Sequence, residues 1–222
     1  MVETKIIILD QQEIVYKIHY KRIKNCYLRV EKGEVVIRCS PLFPQSEIEK
    51  LIRNHQEEIL EQIKGYVPKY NYQEDGYVYL FNQKYQIILK DMNIKKCAIH
   101  DRQIYVYSKN IQATIEMFLK QELMNYLKER IDFCLSASFH HAFPEIQIKK
   151  MKRRWGACFY QKNRVCFNLV LAHIDYALID YVIVHELCHF LEANHSKAFY
   201  HEIEKRMPDY KERERLLKDV GI

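Results

Sequence analysis

A chain of 222 residues and 27.0 kDa is long enough for one domain or two small ones, with a buried core and no need of disulfide staples. Its 5 glycines (Gly33, Gly65, Gly76, Gly156 and Gly221) lie too far apart for G-x-G-x-x-G or G-x-x-x-x-G-K-[ST], which excludes the common dinucleotide- and phosphate-cradling loops. An apolar share of 48%, a mean hydropathy of −0.38 and a net charge of +6 describe a soluble globular chain; nucleic acid is a possible partner that no basic stripe supports.

The 7 cysteines are scattered, odd in number and free of C-x-x-C, so they read as small hydrophobes in a reducing compartment. The apolar run at residues 6–9 is too short for a secretory h-region. No stretch approaches the ~18 apolar residues of a membrane span. The expectation is a cytoplasmic protein with no membrane partner.

In chain order, residues 5–9, 14–20, 26–31 and 34–38 are rich in β-branched and aromatic side chains and predict strands. Gly33 supplies positive φ for a hairpin turn at 31–34. From Ser46 the spacing of Ile48, Leu51, Ile52, His55, Ile59 and Ile63 predicts one helix ending near Gly65. A tyrosine-rich connector at 66–76 leads to strands at 77–81, 84–89, 95–100 and 103–107. A long helix opens near Asn110 and carries Ile111, Ile115, Leu119, Leu123, Leu127 and Ile131. Few glycines predict few left-handed turns. The fold class is α+β: a β-rich N-terminal part with one helix over 1–108, and a second part over 109–222 opened by the long helix.

The specific chemistry follows residue 146. Residues 149–171 predict a β-hairpin that turns at 159–163, its first arm carrying Lys152-Arg-Arg-Trp155 and then Gly156-Ala-Cys158. Cys158 and Cys166 are expected to face each other across it. Asp175 then caps an almost wholly apolar helix, which reads as buried. Into it are set His185, Glu186 and His189. Histidines at i and i+4 share a helix face and can bind one metal ion. Glu186, turned about 100° away, is placed to act as general base on an activated water. His195 follows the expected helix end at Asn194, and a left-handed turn there would return it to the same ion; Glu192, Glu202 and Glu204 are rival third ligands. Asp180 and the same three glutamates are candidates to orient the imidazoles. Arg153, Arg154 and Trp155 are candidate substrate-binding residues at the edge of the cleft.

The runs Met151-Lys-Arg-Arg-Trp-Gly-Ala-Cys158, Phe167-Asn-Leu169, Asp180-Tyr-Val-Ile-Val-His-Glu-Leu-Cys-His189, Asn194-His-Ser-Lys-Ala-Phe-Tyr200 and Met207-Pro-Asp-Tyr-Lys211 resemble the YgjP-like metallopeptidase family, and more distantly SprT-like proteases. The resemblance extends to residues 20–30 and 44–64. It implies a zincin of the minigluzincin type with one Zn2+ held by His185, His189 and His195, Glu186 as base, and a peptide or protein substrate. Glu192 stands where metzincins have a glycine, so the turn to the third histidine is made differently. Two other functions remain open on the residues alone: a divalent-metal-dependent nucleotide phosphoanhydride hydrolase of pyrophosphatase type, and a metal-stabilised binding module with little turnover.

Overall fold

The computed structural model describes residues 2–31, 33–65, 70–92 and 94–221; the expected turn and connector lie in part outside them, at 32 and 66–69. The chain divides into two compact units, Met1–Pro68 and Lys69–Ile222. The fold is α+β. No helix among the described residues is long and apolar enough to cross a membrane.

In the first unit, β1 (Val2–Leu9), β2 (Gln12–Tyr20), β3 (Tyr27–Glu31) and β4 (Glu34–Cys39) form a sheet in the order β1-β2-β4-β3, with β2 and β4 parallel. Alternation buries Tyr16, Ile18, Val35 and Ile37 on one face. Ile48 and Ile52 of α1 (Gln45–Asn54) and Ile59 of α2 (Gln56–Gly65) close that core. The single helix expected over this stretch is broken at His55, whose φ of −114° and ψ of 23° leave the helical region. Its Nδ1 lies 3.0 Å from the Leu51 carbonyl, a local bond that competes with the helix ladder. Gly33 has the expected positive φ, 74°.

The second unit opens with β5 (Tyr70–Asn71), β6 (Tyr77–Leu80), β7 (Gln83–Leu89), β8 (Lys96–His100) and β9 (Gln103–Tyr107), in the order β5-β6-β7-β9-β8. Strands β6 to β9 repeat the plan of the first sheet: two antiparallel hairpins joined by a parallel pairing of their second strands. Asn110 caps α3 (Ile111–Cys134) by accepting from the Ala113 amide at 3.1 Å. Its residues Ile115, Leu119, Leu123, Leu127 and Ile131 are fully buried and share one core with Val78, Ile87, Ile104 and Val106. That shared core carries the compact division to 68/69 and not to the expected 108/109: β6–β9 are the floor on which α3 packs.

The left-handed turns foreseen as rare are in fact common. Asp10 and Gln11 between β1 and β2, Phe81 and Asn82 between β6 and β7, and Asp101 between β8 and β9 all have positive φ. Two-residue hairpins need this backbone to match strand twist, and here Asp, Asn and larger residues supply it in place of glycine.

A third sheet holds β10 (Glu145–Lys149), β11 (Gly156–Phe159) and β12 (Arg164–Asn168) in the order β10-β12-β11. The hairpin is therefore β11–β12 alone. Strand β10 runs parallel to β12 on its far side, and residues 150–155 carry the chain across. In the β11–β12 register Cys158 faces Val165 while Cys166 faces Ala157, so the two cysteines occupy opposite faces and do not meet. Helices α4 (Tyr176–Cys188), α5 (Lys197–Arg206) and α6 (Tyr210–Val220) complete the unit, with α4 packed against β11, α3, α5 and α6.

Candidate metal centre

Helix α4 starts as its sequence predicts: the Asp175 side chain accepts from the Ala177 amide at 2.8 Å. Leu178, Ile179, Val182, Ile183 and Leu187 then bury it on several sides. It ends earlier than expected, at Cys188, and His189 is its capping residue with φ −67° and ψ −14°. Asn194 is not among the residues with positive φ, so the reversal is made without a left-handed residue there. The amides of Phe190, Leu191 and Glu192 turn back onto the Leu187 and Cys188 carbonyls. The Ser196 side chain, accepting from the Phe199 amide at 3.3 Å, starts α5 directly after His195.

That short turn brings three imidazoles together. One ring nitrogen from each of His185, His189 and His195 lies within 4.8 Å of the others, and His185 Nε2 is 3.1 Å from His195 Nε2. Two nitrogens bound tetrahedrally at about 2.0–2.1 Å to one Zn2+ would stand about 3.3 Å apart. Phe199, fully buried on α5, underlies all three rings with centroid distances of 5.0, 4.6 and 4.8 Å. The third histidine is thus held by the docking of α5, a tertiary contact invisible in the spacing.

Burial and the neighbouring imidazoles push His185 down to about 4, and burial lowers His189 as well. Both shifts favour neutral imidazole, the form that donates to a metal. His189 Nδ1 lies 3.2 Å from the Glu192 carbonyl, which fixes the ring. His185 Nδ1 is buried and has no hydrogen-bond partner. No carboxylate belongs to the cluster. Three nitrogen donors with little else to bond fit a borderline-soft cation such as Zn2+.

The nearby acidic side chains stand outside the cluster. Asp180 is committed to Arg130 at 2.8 Å and to the Tyr126 hydroxyl at 2.7 Å. Glu202 pairs with Lys205 and Arg206 at 2.7 and 2.6 Å. Glu204 is exposed outside the cluster, and Glu192 contributes its backbone carbonyl.

Glu186 packs against β11. It is 5% exposed, and its carboxyl accepts a hydrogen bond from the Cys158 amide. Burial pushes it up to about 8, opposed by that bond and by the Arg154 charge. Gly156 makes this slot possible: a Cβ there would stand 2.5 Å from Glu186 Oε1 and 2.7 Å from its Cγ. Of the other candidates, Arg153 and Arg154 are exposed, and Trp155 is half-buried against the core. Sequence reasoning passed over Phe199, the Cys158 amide and Asn168. The last is 2% exposed and bonds through its side chain to the Met151 and Arg154 carbonyls at 2.8 and 2.9 Å. Its place in the Phe167-Asn-Leu169 run was the available signal.

The sequence model of the "YgjP-like, metallopeptidase domain" family matches residues 24–220. Among solved structures, the metallopeptidase zymogen of Pyrococcus abyssi abylysin is similar at 17% identity over 42% of this chain and 94% of its own, with a TM-score of 0.39. The metallopeptidase zymogen of Methanocaldococcus jannaschii jannalysin is similar at 24% identity over 42% and 96%, with a TM-score of 0.38. No curated protein matches significantly. Since the family match runs from residue 24 to residue 220 of 222, the chain belongs to the YgjP-like metallopeptidase family and is a metal-dependent hydrolase.

Proposed function

We propose that this chain is a zinc-dependent peptidase in which His185, His189 and His195 hold one Zn2+ and Glu186 is the general base. The observation that carries the reading is the convergence of three imidazole donors within 4.8 Å beside a buried carboxyl on the same helix. A purely structural metal site has no use for a base in that position. A bound Zn2+ supplies Lewis acidity toward water and a peptide carbonyl. Glu186 takes a proton from the attacking water and returns it to the leaving amine. Its slot on β11 confines the carboxyl, and the Cys158 amide orients it. Strand β11 is an edge of its sheet, and an extended peptide can add to such an edge through main-chain hydrogen bonds. Arg153, Arg154 and Trp155, in the segment leading into β11, then lie along the bound chain.

Zinc-loaded protein should hydrolyse peptides, and Glu186→Gln should remove that activity while keeping stoichiometric zinc. Full turnover in the mutant would refute the general base. His185→Ala and His189→Ala should each lose the metal; stoichiometric zinc in either would refute the ligand set.

A further inference from the structure

We infer that the segment 150–155 is a specificity element that selects peptides carrying Asp or Glu near the scissile bond; this rests on the peptidase reading above. Five of the six residues Lys149-Lys-Met-Lys-Arg-Arg154 are basic. Lys150 is neutralised by Glu116 at 2.6 Å. Lys152, Arg153 and Arg154 are exposed and form no ion pair with any described residue. Exposed cations are ordinarily just solvated; here their main chain is fastened and their place is fixed.

The fastening comes from Asn168. Its Oδ1 accepts from the Met151 amide at 3.2 Å and from the Val170 amide at 3.3 Å, and its Nδ2 donates to the Met151 and Arg154 carbonyls. Its backbone amide donates to the Trp155 carbonyl at 2.8 Å. Every polar atom of a buried side chain is spent, mostly on this one segment. Trp155 adds packing against the core. Such bonds hold the three cations on a main chain that need not be ordered when substrate arrives.

The place is the rim of the site. The segment runs straight into Gly156, whose backbone contacts Glu186, and the Arg154 charge reaches that carboxyl. Close to the third imidazole in the chain, Lys197 follows His195 by two residues, exposed and likewise without an ion pair. Between His185 and Ser196 the only carboxylates are Glu186 and Glu192. A rim of unpaired cations attracts acidic segments and repels basic ones, so it discriminates in both directions.

The test uses the full chain loaded with zinc and a peptide set differing only in Asp, Glu, Ala or Lys on either side of the cleaved bond. At low salt, kcat/KM should favour acidic over lysine peptides by about tenfold, the combined effect of two or three exposed ion pairs. High salt should shrink the ratio. The double variant Lys152→Glu/Arg153→Glu should abolish or invert it with zinc content unchanged; Arg154 is left in place because its charge acts on Glu186. Asn168→Asp keeps the shape but loses both Nδ2 donations. It should weaken the preference through KM, and Asn168→Gln should not restore it. Peptide hydrolysis with no charge preference, or a preference that survives the double variant, overturns the inference alone. Turnover of nucleoside triphosphates with no peptide hydrolysis overturns the peptidase reading and this inference with it.

Discussion

A single absent side chain shapes the space around the Glu186 carboxyl. Gly156 lies within van der Waals reach of Glu186 only because it has no Cβ. Gly156→Ala should therefore displace Glu186 and lower kcat/KM about a hundredfold, the usual cost of misplacing a reacting group by about an ångström. Zinc content should be unchanged, because the atoms nearest a Gly156 Cβ all belong to Glu186 and none to the three histidines. Metal analysis beside peptide kinetics checks both halves. The charge state of Glu186 makes a second prediction. Held near 8 without metal, the carboxyl is protonated at pH 7, whereas His185, held near 4, is already neutral there. A cation beside the carboxyl favours its anion, so zinc binding should release a proton from Glu186 and none from His185. Proton uptake by the buffer during zinc titration should be larger for wild type than for Glu186→Gln by up to about one proton. Equal release would show that the carboxyl does not sense the metal. The placement of His185, Glu186 and His189 within one turn of a buried helix was legible from spacing alone. The slot was not, because it belongs to a glycine thirty residues earlier that reaches Glu186 through sheet packing.

At the scale of elements, α4 and α5 make the site by meeting at a short turn, and Phe199 is the contact that fixes them. Phe199→Ala should destabilise the chain by about 3–5 kcal/mol, as for other large buried aromatics, and weaken zinc binding through His195. Phe199→Leu should restore most of the stability. Denaturant titration and zinc competition separate the two effects. The hairpins offer a test of the opposite sign. Gln11 is exposed with φ 63°, a conformation that strains an L side chain by about 1–2 kcal/mol, part of which glycine's greater freedom in the unfolded chain offsets. Gln11→Gly should stabilise by about 0.5–1 kcal/mol. A lower denaturation midpoint would mean that the turn is not under strain. Strand and helix identities were largely readable from periodicity and β-branching. The break at His55 and the parallel placement of β10 were not: periodicity reports which face is buried, not where a helix stops or which neighbour a strand chooses.

At the scale of the whole molecule, two cores are built separately. One belongs to residues 1–68, and the other, with all three histidines and Glu186, to residues 69–222. A chain beginning at residue 70 should therefore fold and bind zinc with affinity within about threefold of the full chain. Calorimetry with zinc and far-ultraviolet circular dichroism check this. Loss of the fold on truncation would show that the first unit supports the second. The repeated four-strand plan in the two units is a further feature of the whole, with no counterpart in sequence repetition. Topology is recorded in pairing, and many different side-chain sets satisfy the same alternation.

The chain's own order of residues determined the α+β class, the buried helix, its Asp175 cap and the histidine pair with its glutamate. Each of these depends on neighbours within one or two helical turns. Only the tertiary structure decided where the domains part, how His195 returns, which residues hold its ring, and what space Glu186 occupies. These depend on contacts between residues far apart in the chain. Residue spacing along one element carries no information about such contacts until the core that enforces them has formed.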